Sequence, residues 1–459
     1  MRNNTPACPL IAAILLVPLT GCMPDARSRA LSFFGDPRHL IAQTYRSGFV
    51  QDHTTFNGLS AARDGRIYYV LCSARHDLGA QMFVLDPATG RIRHLGDLTE
   101  ACGEKGRHTV VQGKSHVKFV EDRGKLYFAT HMGYYTMVDG REKVGVPPAG
   151  FKPYPGGHLL AVDVADETFE DLAIAPGGEG IITMNMDPRR GRIFALTWPT
   201  GLFLRYDLAK RELKNLGGFF EEGENGQGPT YRTICRAIAV DPTDGSAYFT
   251  VPAGDILRYD PARDAVVPVV GDDLRKDYFG QYDPTTPGHM AYHWRQVVWV
   301  ESERAIYGVH GNSGYLFRFD PRAVRVDVLD RITSEPSRLS GMFDQFSYGY
   351  LGFELGPDGR TLYYLTGAPR YQDGRRVTGR KTTAMGEAKG AEDFHLVTYD
   401  IPTRRYRDHG PIYTAAGARP AAINSIAVGN DGTVYTLAKF TEQGQTRVDL
   451  ISIAPVLKR

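Results

Sequence analysis

One phrase of β-structure returns along this chain roughly every 55 to 60 residues, and a period of that length is the mark of a radial array. The phrase is clearest where a turn glycine opens an apolar strand: GRIYYVLC from Gly65, GKLYFATH from Gly124, GRIFALTW from Gly191 and GSAYFTVP from Gly245. RAIYGVH from Arg304, GRTLYYLTG from Gly359 and GTVYTLAK from Gly432 continue it. A third strand follows each time and ends on an aspartate or a polar turn, as in FVLDP, LLAVDV, FLRYDL, ILRYD, LFRFDP, LVTYDI and DLISI. Short β-branched and aromatic runs between Gly and Asp turns are hairpin grammar. A single four-stranded sheet cannot bury both faces, so the units must stack around an axis. The expected fold is all-β: a seven-bladed β-propeller of four-stranded antiparallel blades over residues 37–459. The last repeat has three clear strands, and HLIAQTY from His39 is expected to supply the fourth as a clasp that removes the open edge.

The N-terminus has a different character. Arg2 precedes an apolar run from Pro9 to Leu19 that is too short to span a bilayer, followed by Leu19-Thr20-Gly21-Cys22. Small residues before a cysteine there resemble a bacterial lipobox. Residues 1–21 are therefore expected to be a lipoprotein signal peptide, with Cys22 lipidated and 22–36 a tether. Residue 23 is Met rather than Asp, which points to the outer membrane, facing the periplasm or the surface. The membrane would be met through the lipid alone. In that oxidising setting Cys72 and Cys102, both around the first blade, are a candidate disulfide, and Cys235 in TICRAIAV is expected to be a buried free thiol. Lys and Arg number 54 against 52 Asp and Glu, so no basic field recommends nucleic acid.

Propeller geometry places the first residue of each innermost strand beside the last residue of the second strand, on one rim. Counted from the turn glycine, those positions hold Asn57 and Cys72, His116 and His131, Thr183 and Trp198, then Ala237 and Pro252 with Arg236 adjacent. Arg295 and His310, Tyr350 or its neighbour and Gly367, and Asn424 and Lys439 complete the ring. Tyr231, His289 and His293 lie on approach loops to that rim. Neutral imidazoles serve as acid or base, and a guanidinium grips a carboxylate in a fork. Those are the parts for β-elimination beside a uronic acid, with the cation stabilising the enolate-like charge. No acidic residue falls on the rim positions, which disfavours both a paired-carboxylate hydrolase and a lactonase with acidic metal ligands. No cofactor is required. Three histidines within reach would also suit a divalent metal, Zn or Mn.

The segment Gly113-Lys114-Ser115-His116 with Leu126-Tyr127-Phe128-Ala129-Thr130-His131-Met132-Gly133 resembles the K-x-H…LYF-x-TH-x-G stretch of the ulvan lyases and related propellers acting on rhamnose–glucuronate linkages. The resemblance implies a polysaccharide lyase in which His116 and His131 are catalytic, with a tyrosine and an arginine. Tyr231 and Arg236 are the candidates for these; Trp198, Arg295, His310 and Lys439 are candidate substrate contacts. The expected partner is a glycan or another small-molecule ligand on the propeller face. The alternative is a non-catalytic glycan- or protein-binding propeller at the outer membrane. The aromatic run Gly341 to Tyr350 suits either a sugar platform or inter-blade packing, Phe279 to His289 reads as a lid, and Gly374 to Ala391 as a solvated insertion.

Overall fold

In a computed structural model the residues described are 39–49, 56–339, 352–377, 392–442 and 444–457. The leader, Cys22, the tether and the aromatic run 341–350 lie outside the described residues, as does the insertion beyond Val377. His39–Arg459 forms one compact unit.

Five of the repeats fold into separate four-stranded antiparallel sheets, and the other two share one nine-stranded sheet. The second blade illustrates the build: Val120–Asp122, Lys125–Ala129, His158–Asp163 and Phe169–Ile174. Its connection after the second strand carries an extra hairpin, Tyr135–Val138 with Arg141–Val144. The aspartates in the repeat have a local cause. Asp86, Asp163, Asp207, Asp260 and Asp320 each accept a hydrogen bond from the N–H two residues on, closing an Asx turn. Four residues after each aspartate the backbone turns left-handed, at Gly90, Glu167, Arg211, Asp264 and Val324, which starts the outer strand. The sequence period is thus a period of hairpins.

Packing between blades then closes the ring. Gly180–Asp187 lies against Ala239–Val240, that strand against Trp294–Val300, and that against Phe353–Leu355. Ala427–Val428 of the last blade meets Leu59–Ala61 of the first. Aromatic side chains fill the gaps: Phe203 stacks on Phe249 of the next blade at 4.7 Å, and Trp294 Nε1 donates to Ala237 O of the preceding blade at 2.9 Å. The expected clasp is present. Leu40–Tyr45 runs antiparallel to the final strand through Ala42↔Ile453 to Tyr45↔Leu450. It also pairs in parallel with the outer strand of the preceding blade, Leu40↔Ile412 to Ala42↔Thr414, which fuses the two sheets.

Two sequence expectations need correction. Cys72 and Cys102 are both buried and form no disulfide; Cys235 is a buried free thiol, as expected. Cys102 sits instead beside the His158 imidazole, where burial pushes its thiol pKa up. Rim pairing also departs from simple counting. His131 bridges Lys114, not His116, and His310 pairs with Trp294, leaving Arg295 in a bulge before Gln296↔Val309. A bulge adds a residue on one strand and re-aims its side chain. Among the described residues no helix is long and apolar enough to cross a membrane.

Candidate functional site

The second blade supplies the centre of the site. Lys114 and His131 exchange backbone hydrogen bonds in both directions, at 2.9 and 2.8 Å, and fix the two segments that carry the motif. The glycines of that motif are steric requirements. A Cβ at Gly133 would fall 1.8 Å from Ser73 O, and one at Gly180 of the next blade would strike the His131 ring at 2.7 Å. Only bare backbone lets His131 seat there with none of its surface exposed. The His116 and His131 rings lie 4.7 Å apart, with Phe56 4.0 Å from His116 and Trp198 5.5 Å from His131.

Protonation follows from this packing. His131 Nδ1 is 3.1 Å from Met132 O, and since a carbonyl only accepts, Nδ1 carries the hydrogen. Nε2 of His131 is then a bare acceptor, buried and without a hydrogen-bond partner; Nε2 of His116 is likewise buried and has no hydrogen-bond partner. Both imidazoles have pKa values well below the usual range. For His116 the causes are burial first, then His131, Lys114, Arg236 and Arg295; for His131, burial and then Lys114. Both are neutral near pH 7. The Lys114 ammonium, on a side chain only 1% exposed, lies over the Phe56 and Tyr135 rings at 4.4 and 4.3 Å, a cation–π seat. Positive charge without imidazolium is the electrostatic character of this corner.

Arg236 and Trp198 are tied to a residue that sequence periodicity does not reveal. Glu224 accepts from Arg236 Nη2 at 2.6 Å, from Trp198 Nε1 at 2.9 Å and from the Ile234 N–H at 3.1 Å. It sits on an aperiodic connection between blades, so its spacing carries no signal. Glu224→Ala is expected to destabilise the fold by about 3 kcal/mol, because it strips the carboxylate from a largely buried ion pair. A chemical-denaturation midpoint unchanged from wild type would show that the pair is dispensable. Tyr231 is buried. Its hydroxyl accepts from Thr233 Oγ1 at 3.3 Å, and burial, with Glu224 nearby, holds its pKa well above the ordinary value.

The remaining candidates are placed differently. Arg295 is buried and within electrostatic reach of His116 and His293. His293 is bonded on both ring nitrogens, to Thr250 Oγ1 and Thr233 O at 2.8 Å each, and burial lowers its pKa to about 3. His310 does not join the histidine pair. Phe279 stacks flat on it at 4.3 Å, Tyr282 covers it at 5.8 Å and Ser313 takes Nδ1. The stretch read as a lid thus packs over blade five. Lys439 lies in the strand Val434–Glu442 opposite Ala422 and Val448. Among the described residues no group of three His, Cys, Asp or Glu side chains is placed to hold a metal, so the Zn or Mn option finds no ligand set there.

Beside His116 the inner strands line a cavity of about 320 Å³ along the ring axis. Asn57, His116, Arg236 and Gln296 line it, and so do Lys118 and Glu354, whose side chains meet at 2.9 Å between the second and sixth blades.

No protein-family model matches the chain, and no curated protein matches it. Among solved structures, the β-propeller domain of Cps50 (Swd1) from Myceliophteria thermophila is similar at 10% identity and a TM-score of 0.49, covering 88% of this chain and 98% of that one. TolB from Acinetobacter baumannii is similar at 13% identity and a TM-score of 0.37, covering 84% of this chain and 81% of that one. A putative 6-phosphogluconolactonase from Bacteroides uniformis is similar at 12% identity and a TM-score of 0.41, covering 76% and 82%.

Proposed function

We propose that this propeller is an exported, lipid-anchored protein of the bacterial outer membrane that binds a carboxylated glycan at the mouth of its central channel. The observation that carries the reading is the axial cavity itself, lined by Arg236 and by the neutral ring of His116, with Lys114 and Arg295 within electrostatic reach of that ring. A neutral imidazole in a positive field favours an anionic ligand with hydroxyl groups to share, which describes a uronic acid. Three of the four residues proposed as catalytic are already committed within the protein. His131 is covered, Tyr231 is buried and Arg236 holds Glu224. That favours binding over turnover.

A second reading is supported by the pair of neutral, unpartnered imidazoles and by the resemblance to ulvan lyases. In it the C5 proton of the uronate passes to His116 Nε2. The C4–C5 double bond forms as the C4–O bond breaks, and the leaving oxygen takes up a proton. Titration calorimetry of the mature domain with glucuronate oligosaccharides, run beside an ultraviolet assay for unsaturated uronate, separates the two. Binding without new absorbance, weakened at least about tenfold in His116→Ala, is the expected result. Absorbance that vanishes in His116→Ala selects the lyase. Neither signal from folded protein overturns both.

A further inference from the structure

We infer that the channel takes its glycan end-on, a single terminal uronate descending into the ring, and that the Lys118–Glu354 pair is the floor on which it stops. This rests on the carboxylated-glycan reading above and narrows it to chain ends.

Three observations carry it. First, the His116 side chain lines the wall of the channel together with Asn57, Arg236 and Gln296, so a group entering the bore passes directly beside it. Second, the cavity is deep and narrow. Its lining runs from Gln296 to Trp299 on one inner strand, about 10 Å at the rise of an extended chain, and its volume is about 320 Å³. That is the small end of the range for small-molecule sites, enough for a sugar-sized group but not for a chain that enters and doubles back. Third, the bore is crossed. Lys118 comes from the second blade and Glu354 from the sixth, which are not neighbours in the ring, and their side chains meet at 2.9 Å while both line the cavity. An internal stretch of polymer would have to thread through or fold back; the ion pair blocks the first route and the width blocks the second. The floor offers an ammonium and a carboxylate, the pair that hydroxyls of a terminal ring can bridge as acceptor and donor.

A series of oligoglucuronates from the disaccharide to long polymer, titrated calorimetrically into the wild-type mature domain, tests this. Every chain has one end of each kind, so the dissociation constant per chain should stay within about threefold across the series while affinity per uronate falls with length. A dissociation constant per chain that improves in proportion to length would show that internal residues bind, and overturns end-on entry while leaving glycan binding standing. No binding by any member overturns the carboxylated-glycan reading itself, and this inference with it.

Discussion

A chain that starts after Tyr45 is expected to lose on the order of 10 °C of melting temperature relative to one that starts at His39. The strand Leu40–Tyr45 is the only described element that pairs with two blades at once, antiparallel to the final strand and parallel to the outer strand before it. Ala42, which pairs on both sides, is buried, and His39 adds an edge-to-face contact with Tyr413 at 5.0 Å. At about 1 kcal/mol net per backbone hydrogen bond, losing both ladders amounts to about 5 kcal/mol. For a domain of this size that corresponds to the shift named. Deletion also bares two strand edges where there were none, so the shortened chain should associate through them. Circular dichroism melts and sedimentation measure both effects. A melting temperature within two or so degrees of the longer chain, with no association, would mean that the ring closes without its clasp.

The second large effect is expected at His158, whose backbone is hydrogen-bonded to Thr130, the neighbour of His131. Its Nδ1 lies 2.9 Å from Asp171 and its Nε2 3.0 Å from Glu104, which is 2% exposed. Burial opposes the charged imidazole, but hydrogen bonds to Asp171, Cys102 and Glu104 outweigh it and raise the pKa to about 11. Glu104 in turn accepts from Gln112 Nε2, and Gln112 Oε1 accepts from Tyr154 and Thr130. The network ties the loop after the first blade to the second. His158→Phe leaves a buried carboxylate without its cation, at a cost of about 3–5 kcal/mol. The folded state keeps a proton that the unfolded chain releases near about pH 6.5. The stabilisation is therefore complete below that pH and declines as pH rises towards the folded value. The difference in urea midpoint between wild type and His158→Phe, in which the buried neutral histidines common to both cancel, should shrink progressively from pH 6 to 8 to 10. Parallel curves would mean that the imidazole is neutral.

Much of the fold is legible in the chain because its turns are chemically specified. The left-handed backbone four residues after each aspartate and the glycines that open the second strands recur with the blades, so the phrase and the hairpin coincide. The clasp was legible for a related reason: the last repeat lacks a strand and the segment before the first repeat has one to spare. The histidine pair follows from the same counting, since His131 lies just past the end of a second strand. What counting misses is bulges and loops. A bulge at Arg295 shifts the blade-five register, so His310 turns under Phe279 instead of joining the mouth. Glu224, Glu104 and His158 act through connections or long-range pairs that no local period encodes. The disulfide expectation failed because two cysteines near one blade in sequence need not face each other. Cys102 turns to His158 instead.

The most direct test of the central claim is the side-chain nitrogen resonance of His116 in protein carrying ¹⁵N-histidine, followed as glucuronate is added. The account predicts a neutral ring throughout the physiological range and a ligand-dependent shift of His116 Nε2, absent in His116→Ala. A resonance that stays still while glucuronate saturates the protein would place the ligand elsewhere and contradict the channel-mouth site.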